Sequence, residues 1–431
     1  MYLNLFGALL YVDNQLFFPR RDKQISDMSF NNSYPKKILI ATWLGWLFDG
    51  LDSSLYPMVA TQALSELIGK NNPDFGWIAA KVLAVFLLGW SAGGFIFGYL
   101  GDKLGRAKAL SLSILTYALF TGLSGLAHTW QELSIFRFLS GLGIGGEWAL
   151  GVALLAESTK KENRIMSTAF LATGFSLGCC LAIIANFLIS PFGWRFVFLF
   201  GILPALLVFY IIRNIKEPVA WTLISKKINN PLEIFQKKYF YNLSIAFLLG
   251  VTFSIGSWAC VIFWLPLWVE QTLGGGLYEK TMVTLISMLT HVIGSFLAGL
   301  LLKVYSRKIV LLISYLMCFI TASFMYFYFH TYSLWVLFFA SMLGFFFGII
   351  PASFAIYFPE LFPTRIRTTA KGFCYSTGRV FTAFGALYSG FLVKHFAGNI
   401  GPAAALMWLT FLIGAVVSLF APKTDIENLP A

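Results

Sequence analysis

Gly98-Tyr99-Leu100-Gly101-Asp102-Lys103-Leu104-Gly105-Arg106-Ala107-Lys108 is a charged turn between two apolar runs, near residues 76–100 and 107–127. Each run holds about 20 residues, and at roughly 1.5 Å per residue a helix of that length crosses about 30 Å of hydrocarbon. The glycines allow a sharp reversal and close helix approach, while Asp102 and Arg106 are placed to hold a neighbouring helix end by charge and dipole. The stretch reads as the polar end of a membrane-crossing helix pair with a latch built into it.

The same pattern extends along the chain. Apolar runs fall near 38–63, 76–100, 107–127, 133–156, 167–190 and 196–213, and again near 242–269, 282–302, 309–329, 333–357, 370–393 and 402–421. The 431 residues are 58% hydrophobic and only 12% charged, against about 25% charged in a typical soluble protein. That composition excludes a soluble enzyme, a disordered chain and a secreted disulfide scaffold. The spans read as helices, because an open sheet would leave backbone groups unpaired in lipid. The expected division is a tail over 1–37, a six-helix bundle over 38–213, a basic linker over 214–241, a second six-helix bundle over 242–421 and a tail over 422–431.

With the N-terminus inside, 24 of the 31 lysines and arginines fall on the cytoplasmic side, including Lys36, Lys37, Lys103, Arg164, Lys226, Lys227, Arg307 and Lys371. The net charge of +12 is therefore a topology signal, both termini are expected in the cytoplasm, and no nucleic-acid partner is called for. Met1 to Phe18 is apolar but too short to span, and lacks the basic leader and cleavage site of a signal peptide. Either it lies along the membrane surface or translation starts at Met28, the reading favoured here. Cys179, Cys180, Cys260, Cys318 and Cys374 all lie inside apolar runs and form no ligand spacing with the four histidines, so they read as packing residues and no metal or cofactor is expected.

The turn at Gly98–Lys108 resembles the loop motif of the major facilitator superfamily, G-x-x-x-D-[RK]-x-G-[RK]-x-[RK], at the place where that superfamily carries it. A weaker echo, Gly299-Leu-Leu-Leu-Lys303-Val-Tyr-Ser-Arg307-Lys308, follows the eighth run, with Lys303 where the acid would stand. This predicts that a latch on that side does not reuse the same pairing. Arg137-Phe-Leu-Ser-Gly141-Leu-Gly143-Ile-Gly145-Gly146-Glu147-Trp148 contains G-x-G-x-x-G, but no strand precedes it and no aqueous phosphate pocket is available. It reads instead as a close-packing helix face and resembles the fourth-helix motif of the same superfamily. That resemblance makes Arg137 a candidate for a proton-coupling network; the other reading is an arginine that snorkels to the outer interface.

Pro359-Glu360-Leu-Phe-Pro363-Thr364-Arg365-Ile-Arg367 resembles the signature of sugar-type and metabolite-type members, with Glu157 and Arg164 as its counterpart in the first half. By resemblance, Glu157, Arg164, Glu360 and Arg367 pair across the cytoplasmic face and, with Asp102 and Arg106, gate it. Solvated loop charges are the alternative. Asp49-Gly-Leu-Asp52 in the first run is similar to the D-G-x-D of sialate:proton and aromatic acid:proton symporters.

Ionisable residues deep in apolar spans are costly and so are functional candidates: Asp49, Asp52, Lys81, Arg137, Glu147, His291 and Arg379. Asp49 and Asp52 share one helix face with Tyr56 one turn on, and two adjacent carboxylates favour holding a proton; the other reading of each is a helix-capped or Arg-paired structural acid. Arg379 either binds a substrate carboxylate or pairs with Asp49, Asp52 or Glu147. His291 is either a core hydrogen-bonding residue or a proton carrier, and Lys81 reads as snorkelling. Trp148 and Tyr375 are the aromatic candidates for a substrate wall; Trp258, Trp264 and Trp268 either line a cavity or sit at the interface.

The resemblance implies a proton-coupled secondary transporter, not an enzyme, that takes up a small organic anion across a bacterial inner membrane as a monomer. Its implied partners are substrate, protons and the bilayer. Gly174-Phe-Ser-Leu-Gly178 followed by Cys179-Cys180, without proline, departs from the efflux-type fifth span and favours import. Sugar or polyol uptake, small-molecule efflux and a non-transporting sensor are the other readings.

Overall fold

The computed structural model describes residues 34–69, 72, 74–189, 192–218, 221, 222, 230–257, 265, 268, 269, 272–395 and 400–424. The tail before Tyr34, the Met28 start, Lys226, Lys227, Trp258, Cys260, Trp264 and the tail after Thr424 lie outside the described residues. The helices are α1 (Tyr34–Ile68), α2 (Phe75–Leu104), α3 (Arg106–Ser124), α4 (Trp130–Ser158), α5 (Lys161–Ile189), α6 (Trp194–Phe200) and α7 (Ala205–Asn214). After a short 3-10 helix at Pro231–Phe235 come α8 (Lys237–Gly256), α9 (Leu277–Val304), α10 (Arg307–Tyr328), α11 (Leu334–Leu361), α12 (Arg367–Ser376), α13 (Gly378–His395) and α14 (Ile400–Ser418). Among the described residues, nine helical segments are long and apolar enough to cross a membrane.

The breaks follow local chemistry. The α2–α3 turn pivots on Gly105 at φ +110°, a backbone region that side-chain-bearing residues rarely adopt. Thr129 caps α4 by accepting the Glu132 N–H, and Glu132 in turn accepts the N–H of His128. The sixth and eleventh runs each read as one span and each form two helices. The sixth breaks at Gly201–Pro204, where proline cannot donate to the preceding turn. The eleventh breaks at Thr377, beside Gly378, where an added Cβ would lie 2.7 Å from Ser254 Cβ.

α1–α7 and α8–α14 form two bundles of repeated design. In the first, α2 packs on α4; in the second, α9 packs on α11. The α2–α4 contact explains the glycine run. Cβ atoms added at Gly141 and Gly145 would reach the carbonyl oxygens of Phe86 and Trp90 at 2.3 and 2.0 Å. Backbone therefore meets backbone, the packing that small residues four apart permit in membrane helices. The outer faces carry apolar side chains at helical spacing, such as Leu112, Leu115 and Leu119 on α3 and Ile309, Ile313, Leu316 and Ile320 on α10. Contiguous apolar faces of this kind are what a membrane's hydrocarbon covers.

The bundles meet along α2 with α12 and α13, and along α5 with α9. Gly372 of α12 sits so close to Gly94 of α2 that a Cβ there would lie 1.8 Å from the Gly94 carbonyl oxygen. This seam positions the latch and the aromatic cluster described below.

Candidate functional site

At one end of the seam the turn at Gly98–Lys108 closes on the second bundle. Arg106 is wholly buried; its Nε lies 3.1 Å from Glu157 Oε2, its Nη1 3.1 Å from Asp102 Oδ1, and its Nη2 donates to the Thr364 carbonyl at 2.6 Å. Arg367 of α12 reaches back across the seam to Glu157 Oε1 at 2.8 Å. Asp102 accepts from the N–H groups of Thr368 and Thr369 at 3.3 and 2.8 Å and from both their hydroxyls. The first turn of α12 has no side-chain cap of its own, so Asp102 caps that helix from the opposite bundle. Outside the spans, Glu217 accepts from the N–H groups of Ala107 and Lys108 at the start of α3. Burial pushes its carboxyl up from the ordinary range, while those same N–H groups and Arg106 act in the opposite direction.

The second bundle repeats half of this arrangement. Arg307 Nη2 lies 2.8 Å from Glu360 Oε1 and its Nη1 donates to the Leu302 carbonyl, as Arg106 donates to Gly101 five residues back. With Lys303 in place of the acid, this side lacks the counterpart of the Asp102–Arg106 pair, as expected, and keeps only the Arg–Glu pair. Across the seam the four-residue pairing is also only half formed. Arg367 meets Glu157, but Arg164 donates to the Ala156 carbonyl at 3.0 Å, and a small cleft lies between it and Glu360. Glu360 instead accepts from the Thr424 hydroxyl at 2.6 Å.

Asp49 and Asp52 have different partners. Asp52 is closed off inside the first bundle: its carboxylate accepts from Thr121 at 2.6 Å and Ser140 at 2.8 Å and lies 3.1 Å from Arg137 Nη1. Arg137 is wholly buried, stacked over Phe86 at 4.4 Å, which rules out snorkelling. Asp49, one turn earlier, turns to the seam and faces Glu147 and Arg379. Glu147 packs on the α1 backbone so tightly that a Cβ at Gly45 would lie 2.1 Å from its Oε1. Gly45 and Asp49 are four apart on α1, so the two carboxylates share one face.

Around them the two bundles bring aromatic rings together. Trp148 of α4 stacks on Tyr375 of α12, with centroids 3.8 Å apart and planes at 14°. Trp46 lies 6.1 Å from Trp148. The Arg379 guanidinium sits 3.8 Å from the centre of the Trp90 ring and 4.7 Å from that of Tyr375. Its Nη1 donates to the Tyr375 carbonyl at 3.1 Å. Both oxygens of Asp49, both oxygens of Glu147, Arg379 Nε and the indole N–H groups of Trp46, Trp90 and Trp148 are buried without a hydrogen-bond partner. The Tyr117 hydroxyl stands beside the Glu147 carboxylate and acts on it as a donor while falling short of full hydrogen-bond geometry.

Of the residues singled out in the sequence, Asp49, Glu147, Trp148, Tyr375 and Arg379 are thus brought to one place. Tyr56 is not: its hydroxyl donates to the Ala79 carbonyl at 3.1 Å. His291 lies on another part of the seam, its Nδ1 2.5 Å from Ser176 Oγ, joining α9 to α5. Lys81 lies over the rings of Trp77 and Trp130, and Trp268 is buried against Tyr326. Trp46, Trp90 and Tyr117 escaped the sequence reading because nothing separates them from the many lipid-facing aromatics until partners are known. Lys371, expected among the solvated cytoplasmic charges, is wholly buried. Cys179, Cys180, Cys318 and Cys374 are free thiols, and no metal-binding cluster occurs among the described residues.

Residues 42–281 and 247–429 match the sequence profile of the Major Facilitator Superfamily. The chain belongs to the major facilitator superfamily. It is a membrane transport protein rather than an enzyme, and its partner is a small-molecule substrate. A probable 4-methylmuconolactone transporter of Cupriavidus pinatubonensis is 31% identical over 91% of this chain and 92% of its own length. The cis,cis-muconate transport protein of Acinetobacter baylyi is 28% identical over 92% of this chain and 99% of its own. Among solved structures, the proton:xylose symporter XylE bound to 6-bromo-6-deoxy-D-glucose superposes with a TM-score of 0.79 at 19% identity, covering 93% of this chain and 98% of that one. It shares the fold of this carrier, two bundles of six membrane helices.

Proposed function

We propose that this carrier imports a small organic anion together with protons by alternating access, with the substrate held at the seam between Arg379 and the Trp46, Trp90, Trp148 and Tyr375 rings. The protein is placed in a bacterial inner membrane as a monomer with both termini in the cytoplasm. The linker over 214–241, which takes in the first turn of α8, joins two bundles that rock against each other.

One observation carries this reading: the cluster of buried, unpartnered donors and carboxylates at Asp49, Glu147, Arg379 and the three indoles. Buried polar groups in a folded protein nearly always have partners, so a cluster without them is built to receive one. Arg379 offers a charged donor edge and the indoles offer neutral donors, which suits a carboxylate and its neighbouring acceptor atoms. Relatives named for muconolactone and muconate transport agree with that chemistry.

Charge balance supplies the coupling. Asp52 and Arg137 cancel one another, as do the charges of Asp102, Arg106, Glu157 and Arg367, leaving Arg379 and Lys371 against Asp49 and Glu147. A buried net charge is expensive, so the empty site is neutral with both carboxylates ionised. The site holding a monoanion is neutral with one proton on the carboxylate pair. One proton then crosses with each monoanion, and the step moves no net charge.

In proteoliposomes, an inward proton gradient is expected to drive accumulation of the acid with little response to an imposed membrane potential. Asp49→Asn is expected to remove the gradient's effect. Accumulation unmoved by the gradient, or governed by the potential alone, would contradict the coupling.

A further inference from the structure

Lys371 of α12 is wholly buried. Its Nζ lies 3.3 Å from the Ala149 carbonyl oxygen and 5.2 Å from the centre of the Trp148 ring. The nearby acids are Asp102 and Glu157. Asp102 is taken by Thr368, Thr369 and Arg106, and Glu157 by Arg106 and Arg367. Among the described residues no carboxylate lies within ion-pair distance of Lys371, so its charge rests on one carbonyl dipole and one ring face. A buried ammonium held so weakly is costly unless something else meets it.

Its position indicates what that is. Lys371 and Tyr375 are four residues apart on α12, about 6 Å along the helix at roughly 1.5 Å per residue, and Arg379 follows four residues later, just past the break at Thr377. Tyr375 stands between them, stacked on Trp148, and Lys371 lies over the same Trp148 ring. The aromatic pair is a plug with one cation on either side: Arg379 on the side of the unpartnered cluster, Lys371 on the side of the Asp102–Arg106–Glu157–Arg367 latch.

Resting on the organic-anion reading, we propose that Lys371 is a second anion-binding residue on the release path. It takes the substrate carboxylate from Arg379 when the latch opens and the Trp148–Tyr375 stack parts. In the closed state the Trp148 ring and the Ala149 carbonyl hold the ammonium in place. When the bundles separate, those two contacts are lost, and the carboxylate replaces them.

The test is transport of cis,cis-muconate by the full chain in right-side-out and inside-out membrane vesicles at equal pH on both sides. Lys371→Gln is expected to lower the maximal influx rate about tenfold at unchanged external KM, as loss of one charged contact implies. In the reverse direction it is expected to raise the KM on the latch side about tenfold at unchanged maximal rate. Microscopic reversibility requires the ratio of maximal rate to KM to fall equally both ways, which this pattern satisfies. Lys371→Arg is expected to restore most of both. Equal loss of maximal rate in both directions with neither KM moved, or no change at all, would overturn the assignment of Lys371 while leaving anion transport standing. Failure of the wild-type chain to move muconate or any other acid would overturn the anion reading itself.

Discussion

Arg379→Ala is expected to abolish accumulation of the acid and to weaken its binding by roughly 30- to several-thousand-fold, corresponding to the loss of about 2–5 kcal/mol when one partner of a buried charge pair is truncated. The guanidinium is buried between Trp90 and Tyr375, one donor engaged by the Tyr375 carbonyl and Nε left free toward the site. Those contacts fix the plane of the fork before substrate arrives, so little orientational freedom remains to be lost on binding. Lysine keeps the charge but neither the fork nor the flat stacking face, and Arg379→Lys is expected to fall between wild type and alanine. Binding by tryptophan fluorescence quenching reads the series directly, because Trp90 and Trp148 border the site. An alanine variant that binds the acid as the wild type does would return Arg379 to a purely structural role.

The second large effect falls on stability. Arg137→Met is expected to cost about 3–5 kcal/mol, because it strands the Asp52 carboxylate in the first bundle with an uncompensated charge. Thr121 and Ser140 still donate to Asp52, but two hydroxyls do not replace a guanidinium. Arg137→Met combined with Asp52→Asn removes the stranded charge, and the double variant is expected to melt well above Arg137→Met alone. Thermal unfolding of the detergent-solubilised protein, followed by circular dichroism, compares the three. A double variant no more stable than the single one would mean that Arg137 acts through packing on Phe86 rather than through Asp52.

The two expectations separate residues that the sequence places side by side. Asp49-Gly-Leu-Asp52 puts two acids on one face of α1, and nothing local distinguishes them. Their partners lie 69 residues or more away: Thr121 on α3 and Arg137 on α4 for Asp52, and Glu147 and Arg379 for Asp49. The spans, the turn at Gly98–Lys108 and the close-packing face at Gly141–Gly146 were legible because hydrocarbon thickness and backbone contact impose a period and a residue type. Arg379 was legible because a cation so deep in an apolar run has few explanations. What stayed hidden was tertiary. Lys371 looks like any basic residue beside a loop until α12 is seen pressed against α4, and Trp46 and Trp90 look like any aromatic in a lipid-facing chain. The half-formed latch was hidden for the same reason: Arg164 and Glu360 have the right types and spacing, yet Glu360 is held by Arg307 and Thr424 instead.

The most direct test of the account is counterflow by the purified chain in proteoliposomes, loaded in turn with muconate, muconolactone, aromatic acids, sialic acid, sugars and polyols. One or more of the acids is expected to exchange, with exchange lost in Arg379→Ala and retained in Arg137→Lys. Exchange of sugars or polyols alone, with no acid exchanged, would contradict it.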